Sequence, residues 1–259
     1  SPFRKAGRAR PRGIARLGPD GRFLPIPGSP PFINTLVSTP AGLVAGTPKG
    51  LFREEKEGAD YGFRRLDLGD GLDHVNAVLL GHGGTLWVAT SGGVVALAPD
   101  GRVRVLVEAS GLPGRIAHSL AETSDGALWV GTLTGLVRLD GRGVTRFSRA
   151  AGNLPHDWVT AILPDGDGVL AGTYDAGVWR LTPSGVGMPV PGLERLWVNP
   201  AGLSRAAGAL SVATLGDGLI LGGRRVAGLP SDDVTAVISF AGKVWIATRG
   251  GLATSTSGA

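Results

Sequence analysis

Six threonines set the frame of this 259-residue chain. They stand at positions 47, 90, 132, 173, 214 and 248, separated by 43, 42, 41, 41 and 34 residues. Each closes an apolar run with a Gly-Thr or Ala-Thr pair, and a glycine turn then leads into a second apolar run. The fullest copy, Leu128 to Leu139, reads Leu-Trp-Val-Gly-Thr-Leu-Thr-Gly-Leu-Val-Arg-Leu. It returns at Leu86 to Leu97, Val169 to Leu181 and Val244 to Ser255, and more weakly at Leu43 to Phe52 and Leu210 to Leu221. A period near 40 residues built from short strands predicts a β-propeller with one repeat per blade.

The expected strand grammar is the same in every copy. An inner strand comes first: Ile33 to Val37, Val75 to Leu79, Ile116 to Leu120, Val159 to Leu163, Val198 to Gly202 and Val234 to Ile238. A tight turn, the Thr-closed strand, a glycine loop, a third strand and an outer strand follow. A loop of the Gly-Leu-Pro type leads onward at 111–113, 153–155 and 228–230. The expected fold is all-β, a single six-bladed β-propeller of four-stranded antiparallel blades. Its ring would be closed by pairing the N- and C-terminal strands, with Arg22 to Pro27 lending an outer strand to the last blade. Such closure removes exposed sheet edges. Gly13 to Leu17 and Leu252 to Ser255 then compete for one third-strand slot.

Composition narrows the chemistry. Glycine (44) and proline (18) are abundant, but most glycines fall in register in the turns. The net charge of +5 belongs to the N-terminus: residues 1–22 hold seven basic residues against Asp20 alone, and the remainder is nearly neutral. The expected organisation is therefore a basic arm over 1–12, carrying Arg4, Lys5, Arg8, Arg10 and Arg12, followed by the propeller over 13–259. A nucleic-acid binder would carry its basic face on the globular body, so no nucleic-acid partner is expected. The arm could instead contact an anionic surface. No cysteine is present, which removes disulfides and thiolate chemistry. No apolar run approaches the ~20 residues of a membrane-spanning helix.

The Gly-Leu-Pro loop, the Val-Thr-Ala-Ile/Val segment after it, and Leu-Trp-Val-Gly-Thr with Gly-Leu-Val-Arg-Leu resemble the repeats of two-component-regulator propellers. The resemblance runs over roughly residues 30–255 and is most specific at Leu128 to Leu139 and Gly228 to Leu252. It implies the fold, and a relation to extracytoplasmic (periplasmic or secreted) bacterial sensor modules, many of which detect polysaccharide fragments. Those sensors carry larger paired propellers, a further β-domain, a membrane span and a kinase, which this chain lacks.

Residues that recur in register are structural; residues that break register are candidates for function. Trp87, Trp129 and Trp245 recur, as do the six threonines, and packing is expected of both. The position before each inner strand varies: Phe32, His74, Arg115, Trp158, Trp197 and Asp233. The glycine loops add Lys49, Tyr174, Asp175, Asp217 and Arg249. Trp158, Tyr174, Asp175, Trp197, Asp233 and Arg249 are expected on one sector of the channel-mouth face. Aromatic planes with carboxylates and a guanidinium suit a glycan, a peptide or a protein loop. The competing expectation is that Trp158 and Trp197 merely plug the channel.

The four histidines, His74, His82, His118 and His156, show no metal-ligand spacing, so no metal and no cofactor are expected. No Gly-x-Ser-x-Gly elbow is present, and His156 beside Asp157 is the one acid–base pair in sight. A non-enzymatic binding module is the first reading. A scaffold subunit of a bacterial assembly docked through the basic arm is the second, and a propeller lyase or hydrolase is the third.

Overall fold

The computed structural model describes residues 13–57 and 60–256. Residues 1–12, and with them the expected basic arm of Arg4, Lys5, Arg8, Arg10 and Arg12, lie outside the described residues.

The chain folds into twenty-five strands and one 3-10 turn at Glu108–Ser110. A hairpin, β1 (Ala15–Leu17) and β2 (Phe23–Pro25), precedes six successive propeller blades. Blade 1 is β3 (Thr35–Thr39), β4 (Gly42–Thr47), β5 (Gly50–Glu57) and β6 (Asp60–Leu66). Blade 2 is β7 (Val75–Leu80), β8 (Leu86–Thr90), β9 (Gly93–Leu97) and β10 (Val103–Leu106). Blade 3 is β11 (Ala117–Glu122), β12 (Leu128–Thr132), β13 (Gly135–Asp140) and β14 (Gly143–Phe147). Blade 4 is β15 (Val159–Asp165), β16 (Gly168–Thr173), β17 (Val178–Leu181) and β18 (Gly187–Pro189). Blade 5 is β19 (Val198–Ala206), β20 (Ala209–Thr214), β21 (Leu219–Leu221) and β22 (Arg224–Val226). Blade 6 is β23 (Val234–Phe240), β24 (Lys243–Thr248) and β25 (Gly251–Thr256). Strands within each sheet follow chain order.

The described residues form two compact units, one ending at Ala117 and the other beginning at His118. In the first, Val44, Leu51, Val75, Val88 and Val95 build one core. The hairpin packs Ile14 and Ile26 against Ala45, with Leu43 and Phe52 at the margin. In the second unit, Trp129, Leu136, Phe147, Val159 and Leu181 form one core, Val178, Val198 and Val212 another, and Leu219, Val234 and Ile246 a third. Each fully buried side chain of this size contributes on the order of 1.5–3 kcal/mol.

The recurring threonines close the turns. Each Oγ1 donates to the carbonyl of the loop glycine at 50, 93, 135, 177, 218 or 251, at 2.6–3.0 Å. The same oxygen accepts a backbone N–H from Lys49, Gly92, Thr134, Ala176, Asp217 or Gly250, at 3.0–3.2 Å. Five of the six are buried. A hydroxyl that both donates and accepts satisfies two loop groups at once, which valine cannot do.

Trp129 is fully buried, stacks obliquely on Phe147 and donates from its indole to Thr123 Oγ1 at 3.1 Å. Beside it, Arg138 is ion-paired to Asp125 and Asp140. Hydrogen bonding from the Thr123 hydroxyl, reinforced by Arg138, lowers the Asp125 pKa to about 2.

Two expectations need correction. The inner strand of blade 3 starts at Ala117, not Ile116. Asn34 and Asn76 donate from Nδ2 to the carbonyls of Val75 and Ala117, both at 2.8 Å, so Val75 and Ala117 are equivalent positions. Ile116 rather than Arg115 therefore takes the register of Trp158. The expected ladder between the chain ends is also replaced. Leu252 to Ser255 stay in β25 beside β24, and Phe23–Pro25 pairs with β1. Ile26 N–H donates to the Ile14 carbonyl at 2.8 Å, which matches the Leu136–Phe147 pairing of the third and fourth strands of blade 3. Gly13 to Leu17 and Leu252 to Ser255 are thus third strands of different sheets, and neither displaces the other.

Candidate functional site

The second unit brings most of the expected site residues together. Each inner strand there begins after a loop that backbone hydrogen bonds hold on both sides. Within blades, Tyr174 N–H donates to the Trp158 carbonyl (3.1 Å), Leu215 N–H to Trp197 (2.8 Å) and Arg249 N–H to Asp233 (3.0 Å). Between neighbouring blades, Gly135 N–H reaches the Asp157 carbonyl (2.8 Å), Gly177 N–H reaches Leu196 (3.1 Å) and Gly218 N–H reaches Asp232 (2.9 Å). Side chains on these loops are therefore presented from a braced backbone rather than from mobile chain.

On this frame stands an aromatic series. Trp158 and Tyr174 lie face to face with centroids 4.3 Å apart and planes at 7°. Tyr174 also stacks on Trp197 of the next blade, at 5.1 Å and 25°. His118, from blade 3, stands 6.1 Å from Trp158 at a tilted angle. Offset-stacked rings at these separations attract beyond their area burial. Trp158 and Tyr174 are half-buried, whereas Trp197 at the end of the series is 43% exposed.

Charged groups border the series. His156 accepts the Trp158 N–H at Nδ1 (3.0 Å), which directs its proton to Nε2, 3.6 Å from Asp175 Oδ1. His156 also lies 6.3 Å from the Tyr174 ring. In the adjoining blade, Asp233 accepts Asn199 Nδ2 at Oδ1 (2.9 Å) and pairs through Oδ2 with Arg249 Nε (2.5 Å). The Arg249 side chain is 76% exposed, and a guanidinium has four further N–H donors. Asp217 is half-buried in the glycine loop, held by its backbone N–H on Thr214.

Sequence reasoning paired His156 with Asp157. The structure turns them apart: Asp157 Oδ1 accepts the Arg149 N–H at 2.7 Å, and His156 faces Asp175. His118 was missed. It shares the register of Asn34 and Asn76, and a blade-by-blade reading of that column would have flagged the histidine. Phe32, His74, Arg115 and Lys49 belong to the first unit. Phe32 is exposed and borders a cavity of about 350 Å³ with Pro31, Ile33 and Pro48. His74 and Arg115 are exposed side chains, and Lys49 caps the Thr47 turn. Among the described residues, no group of three or more His, Asp or Glu side chains could hold a metal ion.

Residues 111–134 match the model of the two component regulator propeller family. No protein of curated function matches the chain. Among solved structures, the chain is similar to the extracellular domain of a hybrid two component system from B. thetaiotaomicron, with a TM-score of 0.69 at 16% identity. That match covers 87% of this chain and 33% of the sensor domain, so the chain spans about a third of its length. A virginiamycin B lyase from Staphylococcus aureus gives 0.61 at 15% identity, covering 83% of this chain and 77% of the lyase. PorZ, a surface component of the type-IX secretion system of Porphyromonas gingivalis, gives 0.64 at 17% identity, covering 86% and 38%. At these identities the likeness establishes the propeller fold. The chain resembles extracellular sensor propellers of two-component systems, and no helix of the described residues is long and apolar enough to cross a membrane.

Proposed function

We propose that this propeller is a non-enzymatic binding module. Its Trp158–Tyr174–Trp197 series would hold a glycan, a peptide or a protein loop in an extracytoplasmic compartment of a bacterium. The observation that carries the reading is the continuity of the stack across two blades, ending at the exposed Trp197 beside an Arg249–Asp233 pair. An aromatic series of this kind offers edges and an end face to apolar C–H surfaces, while the ion pair offers both donors and acceptors to hydroxyl or amide groups. The bordering loops are hydrogen-bonded in advance, which lowers the ordering cost of binding.

The test is a thermal-shift screen of oligosaccharides and short peptides on the wild type and on Trp197→Ala. A compound that raises the melting temperature of the wild type and not of the variant supports the module. A hit retained by Trp197→Ala places binding elsewhere and overturns the site.

A lyase or hydrolase is the second reading, favoured by one observation: His156 presents Nε2 toward Asp175 at 3.6 Å. Were it correct, His156→Ala would abolish turnover of a bound compound while preserving its affinity. Binding without turnover in the wild type leaves the module standing.

A further inference from the structure

We infer that the outer edge of β25 is a strand-acceptor site, filled by an extended segment of a partner polypeptide. Blades 1 to 5 each have a fourth strand, while β25 is the last strand of a three-stranded sheet among the described residues. In the complete blades, the third-strand residue after the loop glycine is Leu51, Val94, Leu136, Val178 or Leu219, and all five are fully buried. Leu252 holds that position in blade 6 and is only half-buried. Fourth-strand residues cover four of the five directly: Leu66 opposite Leu51, Leu106 opposite Val94, Phe147 opposite Leu136 and Val226 opposite Leu219. In blade 4, Val190 N–H bonds the Val178 carbonyl. The partner segment is thereby specified as an antiparallel strand with an apolar residue opposite Leu252. Arg22 to Pro27, expected from the sequence to fill this place, is bound to β1 in the third-and-fourth-strand register instead.

The composition of β25 supports the same conclusion. Natural sheet edges are protected by charges or proline against adding further strands. The fourth strands of this chain follow that rule, with Arg64 and Arg65 in β6, Arg104 in β10, Arg146 in β14, Pro189 in β18, and Arg224 and Arg225 in β22. β25, Gly-Leu-Ala-Thr-Ser-Thr, contains neither charge nor proline. It is composed as an interior strand. Strand addition would supply main-chain hydrogen bonds along the edge and an apolar contact at Leu252 for register.

The probe is a synthetic peptide copying residues 141–148, Gly-Arg-Gly-Val-Thr-Arg-Phe-Ser, the fourth strand of blade 3. Backbone hydrogen exchange of residues 251–256 is followed in the intact protein with and without it. The expected result is exchange of β25 amides at least about tenfold slower with the peptide at millimolar concentration. A control peptide with Phe147→Asp should give no protection, and Leu252→Asp in the protein should weaken the effect of the native peptide about tenfold. Three results would overturn the inference. β25 amides could already be as slow as those of β5 in dilute protein, or protection could rise with protein concentration alone, which would make a second copy the occupant. In the third, the native and control peptides would act alike.

Discussion

Tyr174 lies flat on Trp158, at 4.3 Å and 7°, although the two residues are sixteen apart in sequence and sit on different loops. The same ring stacks on Trp197 from the following blade. Tyr174 is thus the centre of the candidate site, and the tryptophans flank it.

Replacing that centre should cost stability as well as binding. Tyr174→Leu keeps apolar bulk but removes both stacking contacts, with an expected loss of about 0.5–1.5 kcal/mol. Chemical denaturation measures it. Trp197→Ala, at the exposed end, should change stability less than Tyr174→Leu. If the order is reversed, the stack is not the organising contact.

The turn-closing threonines should be intolerant of isosteric change. Thr132→Val leaves the Gly135 carbonyl and the Thr134 N–H without their hydroxyl partner. The expected cost is about 1–3 kcal/mol. A urea midpoint unchanged from wild type would show that water replaces the hydroxyl.

The small residue before each threonine has a tertiary cause that differs between blades. A Cβ on Gly172 would stand 2.5 Å from Val198 Cγ1 and 3.0 Å from Val198 Cβ, in the next blade. Gly172→Ala should destabilise by about 1–3 kcal/mol through overpacking. The double variant with Val198→Ala should recover part of that loss. Additive effects in the double-mutant cycle would refute the contact.

Acid should loosen blade 3. The Asp125 pKa is depressed to about 2 by the Thr123 hydroxyl and then Arg138. A carboxylate depressed in the folded state stabilises it above the unfolded pKa of about 4, and that contribution disappears as pH falls from about 4 through 2. Denaturation midpoints at several pH values should therefore slope downward over that range. Asp125→Asn should flatten the slope. An identical slope in the variant would assign it to other carboxylates.

What was legible in the sequence was whatever repeats. The threonine period, the glycine loops at positive φ and the apolar runs report local requirements: a hydroxyl closing a turn, a backbone conformation that lacks room for Cβ, and a buried strand. Those requirements recur in every blade, so six near-copies read together located the strands and the varying loop positions that include Trp158, Tyr174 and Trp197. Three things could not be read that way. The one-residue shift that puts Ile116 in the register of Trp158 depends on a hydrogen bond from Asn76 to Ala117, forty-one residues away. The partner of His156 is Asp175 rather than its neighbour Asp157, because adjacent side chains diverge while the two loops converge. The ends of the chain carry equivalent third-strand motifs, and motif alone assigns both to one slot. Only the ladders separate them, since a strand belongs to the sheet whose backbone satisfies it.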